Sequence, residues 1–389
     1  MKKIPIAKTT FTKADMNNIL KPLNSGWVVQ GPFVKEFEDK WCNFTNAKYS
    51  IATTSCTTAL HLALSGLGIK KDDEVIIPSL TWIATANVLE MLGAKPIFCD
   101  VSDVTFNIDP LKVEELITAK TKAIIPVHLF GLSAEMDKIM KIANKHKLLV
   151  IEDAACGFAS KFKGVHVGNF GNAGCFSFHP RKAITTGEGG MITTTGEKLN
   201  TLFRALRDHG ATMSDLQRHQ GNKPYLLPEF PYAGFNYRMT DIQASIGSTQ
   251  MDRAEEIYLK RKKIAHQYDE ALQDISWLRT PFAHADYIHG YQSYVCMFMP
   301  DDIAVRKIPF INKKRNDFME YLQANGISTR PGTHAVHMLE YYARKYEIGK
   351  TDFINSMKVY LCSVSLPVYE SLSGSDIDYI TKIIKAFRF

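Results

Sequence analysis

The sequence has 389 residues, a formal net charge of +7, 45% hydrophobic residues and 22% charged residues. This composition is typical of a soluble globular protein with two domains and argues against long disordered regions. The charge is modest, no apolar run reaches about 18 residues, and the N-terminus lacks the apolar core of a signal peptide, so we expect no nucleic-acid partner and no membrane association.

Short apolar strands alternate with amphipathic helices between about residues 50 and 195. Strands are predicted over 49–53, 74–78, 95–101, 122–127, 148–152 and 174–178, and helices over 57–67, 84–92, 110–116 and 134–146. This alternation indicates βαβ units and a mostly parallel sheet covered by helices, which is an α/β fold. Ligands of such sheets bind beyond the carboxyl ends of the strands, so the residues that directly follow each strand are the candidates for a site.

The pattern changes after residue 241. One or two long charged helices are predicted over 242–272, strands over 291–299 and near 327–329, and a terminal helix over 376–387. These elements indicate a smaller α+β domain, so the predicted division is a large domain over 1–250 and a small C-terminal domain over 251–389. The densest basic cluster, at 260–263, falls on the long helix, where a solvated face is expected.

The seven cysteines are odd in number and form no CxxC pair. Several of them, including Cys99 and Cys175, lie in apolar, strand-like stretches. Free thiols in a reducing compartment explain this pattern better than disulfides or zinc ligands. The sequence therefore predicts a cytoplasmic protein without a metal site.

Two strand ends carry residues suited to a planar, phosphorylated ligand. Ser55, Cys56 and Thr57 follow the strand over 49–53 and begin a helix, whose N-terminus can bind a phosphate, although Ser and Thr are also ordinary N-cap residues. Trp82 follows the strand over 74–78, where its ring can form a flat wall of a cofactor site or simply belong to the core.

Two further strand ends carry charged groups. Asp153 ends the strand that begins at residue 148, and a carboxylate there can pair with a protonated ring nitrogen or cap the next turn. Lys182 lies between the strand over 174–178 and a glycine-rich turn over 187–190. It can form a Schiff base with an aldehyde if Arg181 or a dry pocket lowers its pKa, or it can be a solvated surface lysine.

Seven ordered segments make the chain, from about residue 27 to 387, resemble the DegT/DnrJ/EryC1/StrS family of sugar aminotransferases. The segments are Gln30-Gly31-Pro32, Ser55-Cys56-Thr57, Thr81-Trp82-Ile83-Ala84-Thr85, Val127-His128-Leu129-Phe130-Gly131, Glu152-Asp153-Ala154-Ala155, Ser177-Phe178-His179-Pro180-Arg181-Lys182 and Gly234-Phe235-Asn236-Tyr237-Arg238-Met239. The resemblance implies an aspartate-aminotransferase-like fold (fold type I) that uses pyridoxal 5′-phosphate (PLP). It also implies a homodimer with active sites at the subunit interface.

The resemblance also implies roles for individual residues. Lys182 carries the cofactor as an imine and then moves a proton, and Asp153 pairs with the pyridine nitrogen. The other implied cofactor ligands are Cys56, Thr57 and Ser177 at the phosphate, Trp82 on the ring, Cys156 near the ring hydroxyl, and Asn236 reaching the phosphate of the partner subunit. Candidate substrate-binding residues are His128, Arg181, Arg330, His334 and His337.

Two positions depart from the pattern of the family. Cys56 replaces the usual glycine of a Ser-Gly-Thr turn, and backbone N–H contacts to a phosphate survive this change only if the local φ is negative. Cys156 stands where the family usually has Gln, His or Glu, and a thiol is a weak hydrogen-bonding group. Both departures put the corresponding cofactor contacts in question.

The resemblance implies amino transfer from L-glutamate to a keto group of a nucleotide-linked keto-deoxysugar in surface-glycan biosynthesis, with pyridoxamine 5′-phosphate (PMP) as the intermediate form of the cofactor. A small phosphorylated ketone, such as a triose phosphate held by Arg330 and the two nearby histidines, is an alternative acceptor. A PLP-dependent sugar dehydratase or a non-catalytic relative is a further alternative. Lys182 favours transamination, because the dehydratases of the family have histidine at this position.

Overall fold

The computed structural model describes residues 2–221, 223, 225–282, 284–298 and 303–388. The strands are β1 (Tyr49–Thr53), β2 (Glu74–Pro78), β3 (Leu80–Thr81), β4 (Lys95–Cys99), β5 (Thr121–Ile124), β6 (Leu149–Asp153), β7 (Lys161–Phe162), β8 (Val165–His166), β9 (Ala173–Ser177), β10 (Gly190–Thr194), β11 (Leu278–Arg279), β12 (Tyr287–Ile288), β13 (Tyr294–Phe298), β14 (His334–Ala335) and β15 (Ser363–Leu366).

The α-helices lie before, between and after these strands along the chain. They are α1 (Lys13–Asn18), α2 (Leu20–Ser25), α3 (Pro32–Thr45), α4 (Cys56–Gly66), α5 (Ala84–Met91), α6 (Pro110–Val113), α7 (Met136–His146), α8 (Glu197–Arg207), α9 (Asp215–Gln220), α10 (Asp241–Met251), α11 (Ala254–Leu272), α12 (Ile308–Ala324), α13 (Glu340–Lys345), α14 (Ile354–Cys362) and α15 (Gly374–Ala386). Among these helices, none is long and apolar enough to cross a bilayer.

Seven strands form one large sheet in the order β1-β10-β9-β6-β5-β2-β4. From β9 to β4 the neighbouring strands run parallel, whereas β10 runs antiparallel to both β9 and β1. All five residues of β2 are buried, as expected for a strand covered on both faces. The predicted mostly parallel α/β sheet is therefore confirmed. It brings the carboxyl ends of the neighbouring strands β6 and β9, with Asp153 and Ser177, to one edge of the sheet.

The predicted elements of this region differ from the observed ones mainly at their ends. The strand predicted over 74–78 coincides with β2, and the strand predicted over 148–152 is shifted by one residue, so that Asp153 is the last residue of β6. The long charged region predicted over 242–272 is two helices, α10 and α11. Strand β10 was not predicted from the pattern, because its sequence of glycine, methionine, isoleucine and two threonines has no clear apolar run.

The C-terminal half contributes a second, three-stranded sheet in the order β11-β13-β15. Strand β13 lies inside the strand predicted over 291–299, whose Met299 is outside the described residues. The strand predicted near 327–329 is wrong: within the described part of the chain, Ile327 forms only an isolated bridge with Ile4. Three residues later, Arg330 forms a second isolated bridge, with Ser365, so the segment changes partner before a strand can extend.

A large apolar cluster surrounds the second sheet, and three others surround the large sheet. Val336 and Tyr342, although C-terminal in sequence, pack into the core of the large sheet. The two-stranded pairing of β3 with β14 likewise joins the two halves of the chain. The predicted domain division near residue 250 stays a prediction.

The basic cluster at 260–263 is not uniformly solvated, which corrects the expectation from the sequence. Arg261 is only 4% exposed. Its Nε donates to the carbonyl oxygen of Tyr291 (3.0 Å) and its Nη2 to that of Gln292 (2.8 Å). Burial lowers the pKa of this guanidinium to about 10, which still leaves it charged at neutral pH.

Candidate active site

One cavity of about 620 Å³ lies at the carboxyl ends of β6 and β9 and is closed on another side by the segment around β14. Residues predicted as cofactor or substrate ligands come to it from five separate parts of the chain. They are Cys56, Thr57, Trp82, Asp153, Cys156, Ser177, Arg181, Lys182, Arg330 and His334. Because these residues line one cavity, they can contact the same bound ligand. Their individual roles stay predictions.

The N-terminus of α4 forms one wall of the cavity. Ser55 Oγ accepts the N–H of Thr58 (3.1 Å), and Thr58 Oγ1 accepts the N–H of Ser55 (3.0 Å), which is a reciprocal capping box. The first N–H groups of the helix have no partner inside it and lie at the positive end of its dipole, so this end suits a phosphate. Cys56, the first residue of α4, is not among the described residues with a positive φ, so the cysteine is compatible with such backbone contacts.

Gly190 allows β10 to approach this end of α4. A Cβ atom at position 190 would lie 2.4 Å from both the carbonyl carbon and oxygen of Ser55, and 2.7 Å from the amide nitrogen of Cys56. No side chain fits at that distance from backbone atoms. The last glycine of the predicted glycine-rich turn is therefore required by packing against the helix end.

Asp153 is 5% exposed and both of its carboxylate oxygens are hydrogen-bonded. Thr85 Oγ1, on α5, donates to Oδ2 (2.7 Å), and the N–H of Ala155 donates to Oδ1 (3.1 Å). The hydroxyl of Thr85 also lies 3.1 Å from that of Thr81, and Thr85 is fully buried. These contacts hold the carboxylate in one orientation at the wall of the cavity.

Lys182 lies on the segment that connects β9 to β10, with its Nζ 3.3 Å from Cys156 Sγ. The thiol of Cys156, which replaces the Gln, His or Glu usual in the family, thus lies against the lysine amine and can form only a weak hydrogen bond with it. Burial lowers the pKa of the nearby His179 imidazole, which is therefore neutral at neutral pH. Burial and, secondly, the Asp153 carboxylate raise the pKa of the Cys56 thiol well above its usual range, so this thiol stays protonated.

The opposite wall of the cavity is aromatic and cationic. The exposed ring of Trp82 meets the ring of His334 edge to face at 5.6 Å, and His334 lies 5.9 Å from the ring of Tyr360. Arg330 enters the same wall, with its backbone bridged to Ser365 of β15. This wall is held in place where β14 pairs with β3, next to Trp82.

His128 and His337 are buried away from the cavity, which corrects their predicted contact with substrate. His128 is fully buried, its Nδ1 accepts the N–H of Ala134 (3.1 Å), and its Nε2 lies 2.9 Å from Oε2 of the buried Glu152. His337 is also fully buried, with Nε2 3.2 Å from the carbonyl oxygen of Lys350. Both ring nitrogens of His128 thus have polar partners, whereas the ring of His337 packs edge to face against Phe353 at 4.9 Å.

Asn236 is exposed and, among the described residues, is not part of the cavity lining of its own chain. Its backbone forms an isolated antiparallel bridge with Asp208, the residue that follows α8. The resemblance implied that this side chain serves the partner subunit, and an exposed position outside its own cavity is compatible with that role.

Two residues near the site were missed from the sequence. Thr85 contacts Asp153, and Gln292 lines the cavity and contacts the backbone on both sides of Lys182. Thr85 ends a segment already singled out for its resemblance to the family, Thr81-Trp82-Ile83-Ala84-Thr85, so its place in that segment was an available signal. Gln292 had none, because nothing local in the sequence connects it with a loop more than 100 residues earlier.

Comparisons with known proteins agree with this geometry. The model of the DegT/DnrJ/EryC1/StrS aminotransferase family matches residues 9–385. The spore coat polysaccharide biosynthesis protein SpsC of Bacillus subtilis (strain 168) is 36% identical over 382 residues, covering 98% of this chain and 96% of SpsC. GDP-perosamine synthase of Caulobacter vibrioides is 36% identical over 380 residues, covering 97% of this chain and 96% of the synthase.

A solved structure has the same fold over nearly its whole length. Spr1654 of Streptococcus pneumoniae, in its PMP form, matches with a TM-score of 0.90 and 27% identity, covering 98% of each chain. The same protein is also known in a PLP form. This chain therefore belongs to the DegT/DnrJ/EryC1/StrS aminotransferase family and is a PLP-dependent transaminase of fold type I.

Proposed function

We propose that this enzyme transfers the amino group of L-glutamate to a keto group of a nucleotide-linked keto-deoxysugar. The observation that carries the proposal is the presence of the Lys182 amine, the Asp153 carboxylate and the N-terminus of α4 around one cavity. A lysine, a carboxylate and an anion site are the three groups that an aldehyde-bearing pyridine phosphate requires.

The residues of the cavity fit PLP. Asp153 would pair with the pyridine nitrogen, the first turn of α4 and Ser177 would hold the phosphate, and Trp82 would cover a face of the ring. Bound PLP supplies an electron sink for the carbon that loses or gains a proton. Because Gly190 has no side chain, β10 can pack directly against the backbone of Ser55 and Cys56 at the start of α4.

The groups of the protein then have separate tasks. Lys182 would hold the cofactor covalently and, when displaced by a substrate amine, would carry the proton between the reacting carbons. Thr85 and the N–H of Ala155 keep the Asp153 carboxylate aimed into the cavity. The Cys156 thiol lies beside Lys182 Nζ, where it can make only a weak hydrogen bond.

The cationic side of the cavity supports the proposed acceptor. Arg181 and Arg330 line it together with His334, and guanidinium groups bind phosphate oxygens in a bidentate manner. A relative of 36% identity, GDP-perosamine synthase, is named for a GDP-linked compound, which supports a nucleotide-linked ketone over a small keto-phosphate. The name of SpsC supports a role in polysaccharide biosynthesis.

We further propose a homodimer with shared active sites in the cytoplasm. The exposed Asn236, outside the cavity of its own chain, supports a contribution to the site of a partner subunit. All seven cysteines are free thiols, which supports a reducing compartment.

The decisive experiment offers purified holoenzyme L-glutamate together with two panels of acceptors, nucleotide-linked keto-deoxysugars and small keto-phosphates. We expect ping-pong kinetics and amination in the first panel only. Turnover confined to keto-phosphates would replace the proposed acceptor, and use of another amino acid but not glutamate would replace the donor.

Lys182→Ala tests the central role in the same assay. We expect a loss of about 10³-fold or more in kcat, because both the covalent link and the proton carrier are removed. Lys198→Ala, which changes an exposed lysine on α8 outside the cavity, is the control and should keep wild-type activity. Wild-type turnover by Lys182→Ala would contradict the proposal.

A further inference from the structure

The carboxamide of Gln292 bridges the two residues that flank Lys182. Its Oε1 accepts the N–H of Ala183 (3.1 Å), and its Nε2 donates to the carbonyl oxygen of Arg181 (2.7 Å). Gln292 is only 8% exposed, so these bonds are shielded from water. The N–H of Lys182 itself is held by the carbonyl oxygen of His179 (2.8 Å). Three consecutive residues of the lysine loop are therefore fixed by hydrogen bonds.

Gln292 is itself held from behind by a buried charge. The guanidinium of Arg261, on α11, donates to the carbonyl oxygens of Tyr291 and Gln292. Hydrogen bonds from a charged donor are stronger than neutral ones, and Arg261 is 4% exposed. The backbone at Gln292 is consequently tied to a long helix and not to a loose loop.

A second support comes from Gly131. Its φ is +101°, and a Cβ there would lie 2.8 Å from the amide nitrogen of Gln292 and 2.9 Å from that of Tyr291. Its carbonyl oxygen accepts the N–H of Gly290 (2.7 Å). Only glycine allows this close approach, so the segment that carries Gln292 is pressed against the turn after β5.

We propose that Gln292 is a positioning residue for Lys182, acting through the backbone of Arg181 and Ala183. This inference rests on the proposed role of Lys182 as the residue that bonds PLP. The side chain of a lysine has four rotatable bonds, so the placement of its amine depends on a fixed backbone. A displacement of about 1 Å at a reacting group can cost about 10²-fold in rate, which gives the bridge its importance.

The chain offers a matched control on the same loop. Gln250, on α10, uses both ends of its carboxamide to bind the backbone of one loop residue, Thr185. Its Oε1 accepts the N–H of Thr185 (3.0 Å), and its Nε2 donates to the carbonyl oxygen of Thr185 (2.6 Å). It is 2% exposed. Gln250 anchors the loop three residues beyond Lys182, so loss of its bonds should loosen the loop without releasing the residues next to the lysine.

The experiment compares Gln292→Met and Gln250→Met, which keep much of the side-chain volume and remove the hydrogen bonds. The first readout is the rate at which PLP, added to cofactor-free protein, forms the visible-absorbing imine with Lys182. The second is the reactivity of Lys182 in the cofactor-free protein towards trace acetic anhydride, followed by mass spectrometry. Thermal unfolding of each variant reports the purely structural effect.

We expect Gln292→Met to slow imine formation about tenfold or more and to change the labelling of Lys182. Gln250→Met should lower the unfolding temperature by a similar amount while slowing imine formation less than about threefold. Equal slowing in both variants, or none in Gln292→Met, would overturn the proposal.

If Gln292→Met does not fold, Arg261→Lys replaces it. The lysine keeps the charge but cannot reach both carbonyl oxygens in the fixed geometry of a guanidinium, so slower imine formation is again expected and an unchanged rate overturns the proposal. A wild-type protein that forms no imine at Lys182 would instead refute the proposed function, which separates the two failures.

Discussion

The hydroxyl of Thr85 is the one side-chain group that contacts the Asp153 carboxylate among the hydrogen bonds of the described residues. Thr85 comes from the first turn of α5, and its hydroxyl lies 3.1 Å from that of Thr81 on β3. In its proposed role, the Asp153 carboxylate would meet the ring nitrogen of PLP at one fixed place, which requires such an orienting contact. The residue that orients Asp153 therefore belongs to the segment that also carries Trp82.

Thr85→Val removes this hydroxyl and keeps the shape of the side chain. We expect PLP to bind about 10-fold more weakly, with a similar loss in kcat, because a hydrogen bond to a charged group contributes about 1.5–3 kcal/mol. Equilibrium titration of the cofactor-free variant with PLP measures the first effect. Thr85→Ser should recover most of the affinity, and an unaltered dissociation constant in Thr85→Val would show that Asp153 is oriented by other contacts.

The candidate site was accessible from the sequence where a residue directly follows a strand. Asp153 and Lys182 were found in this way, because strand ends converge in a parallel sheet. His128 also follows a strand, yet its ring turns inward to Glu152. The direction of a side chain at a strand end depends on packing that no local pattern encodes, and for the same reason Gln292 was not anticipated.

At the scale of elements, the proposed anion site depends on a close backbone contact between β10 and the start of α4. Strand β10 begins at Gly190, paired with Ser177 at the end of β9, and this pairing sets the start of β10 against the first turn of α4. A shift of β10 or α4 would therefore separate the groups on β9 and α4 that are proposed to bind the phosphate.

Gly190→Ala should disturb this contact directly. A Cβ 2.4 Å from the backbone of Ser55 requires a shift of β10 or α4, so we expect a loss of about 1–3 kcal/mol in the free energy of unfolding, together with weaker PLP binding. Denaturant unfolding and PLP titration measure the two effects. The control is Gly374→Ala at the start of α15, where the nearest atom is 3.8 Å from the added Cβ and stability should be kept or slightly raised.

The elements themselves followed largely from the alternation of apolar and polar residues. The buried parallel strands and their helices were predicted to within a few residues because each has a clear period. Strand β10 lacks one, and the strand predicted near 327–329 has the composition of a strand, but in the described part of the chain Ile327 makes only an isolated bridge, with Ile4. Strand pairing is a long-range property, so it was the part of the fold that the pattern could not supply.

At the scale of the whole molecule, the proposed dimer would build each active site from Lys182 of one subunit and Asn236 of the other. Co-expressed Lys182→Ala and Asn236→Ala chains would form hybrid dimers with one complete site, built from the lysine of one subunit and the asparagine of the other. We expect recovery of about a quarter of the wild-type activity, since about half of the dimers are hybrids with one site of two.

The matched control pairs Asn236→Ala with a chain that carries both substitutions. The hybrid dimers of this second pair have no complete site, so the activity per intact Lys182 should equal that of the Asn236→Ala homodimer. Activity of the first pair that equals the sum of its separately purified parents would show that each cavity works within one chain.

The antiparallel placement of β10 beside β9 has a consequence for the order in which the molecule can assemble. Because Gly190 pairs with Ser177, the segment that carries Lys182 is a loop between two paired strands that are close to each other in the sequence. Contacts of low sequence separation form fast, whereas the bridge from Gln292 joins residues far apart along the chain. During synthesis the lysine loop can thus be shaped before the glutamine that holds it has left the ribosome, and its final restraint arrives with the C-terminal half.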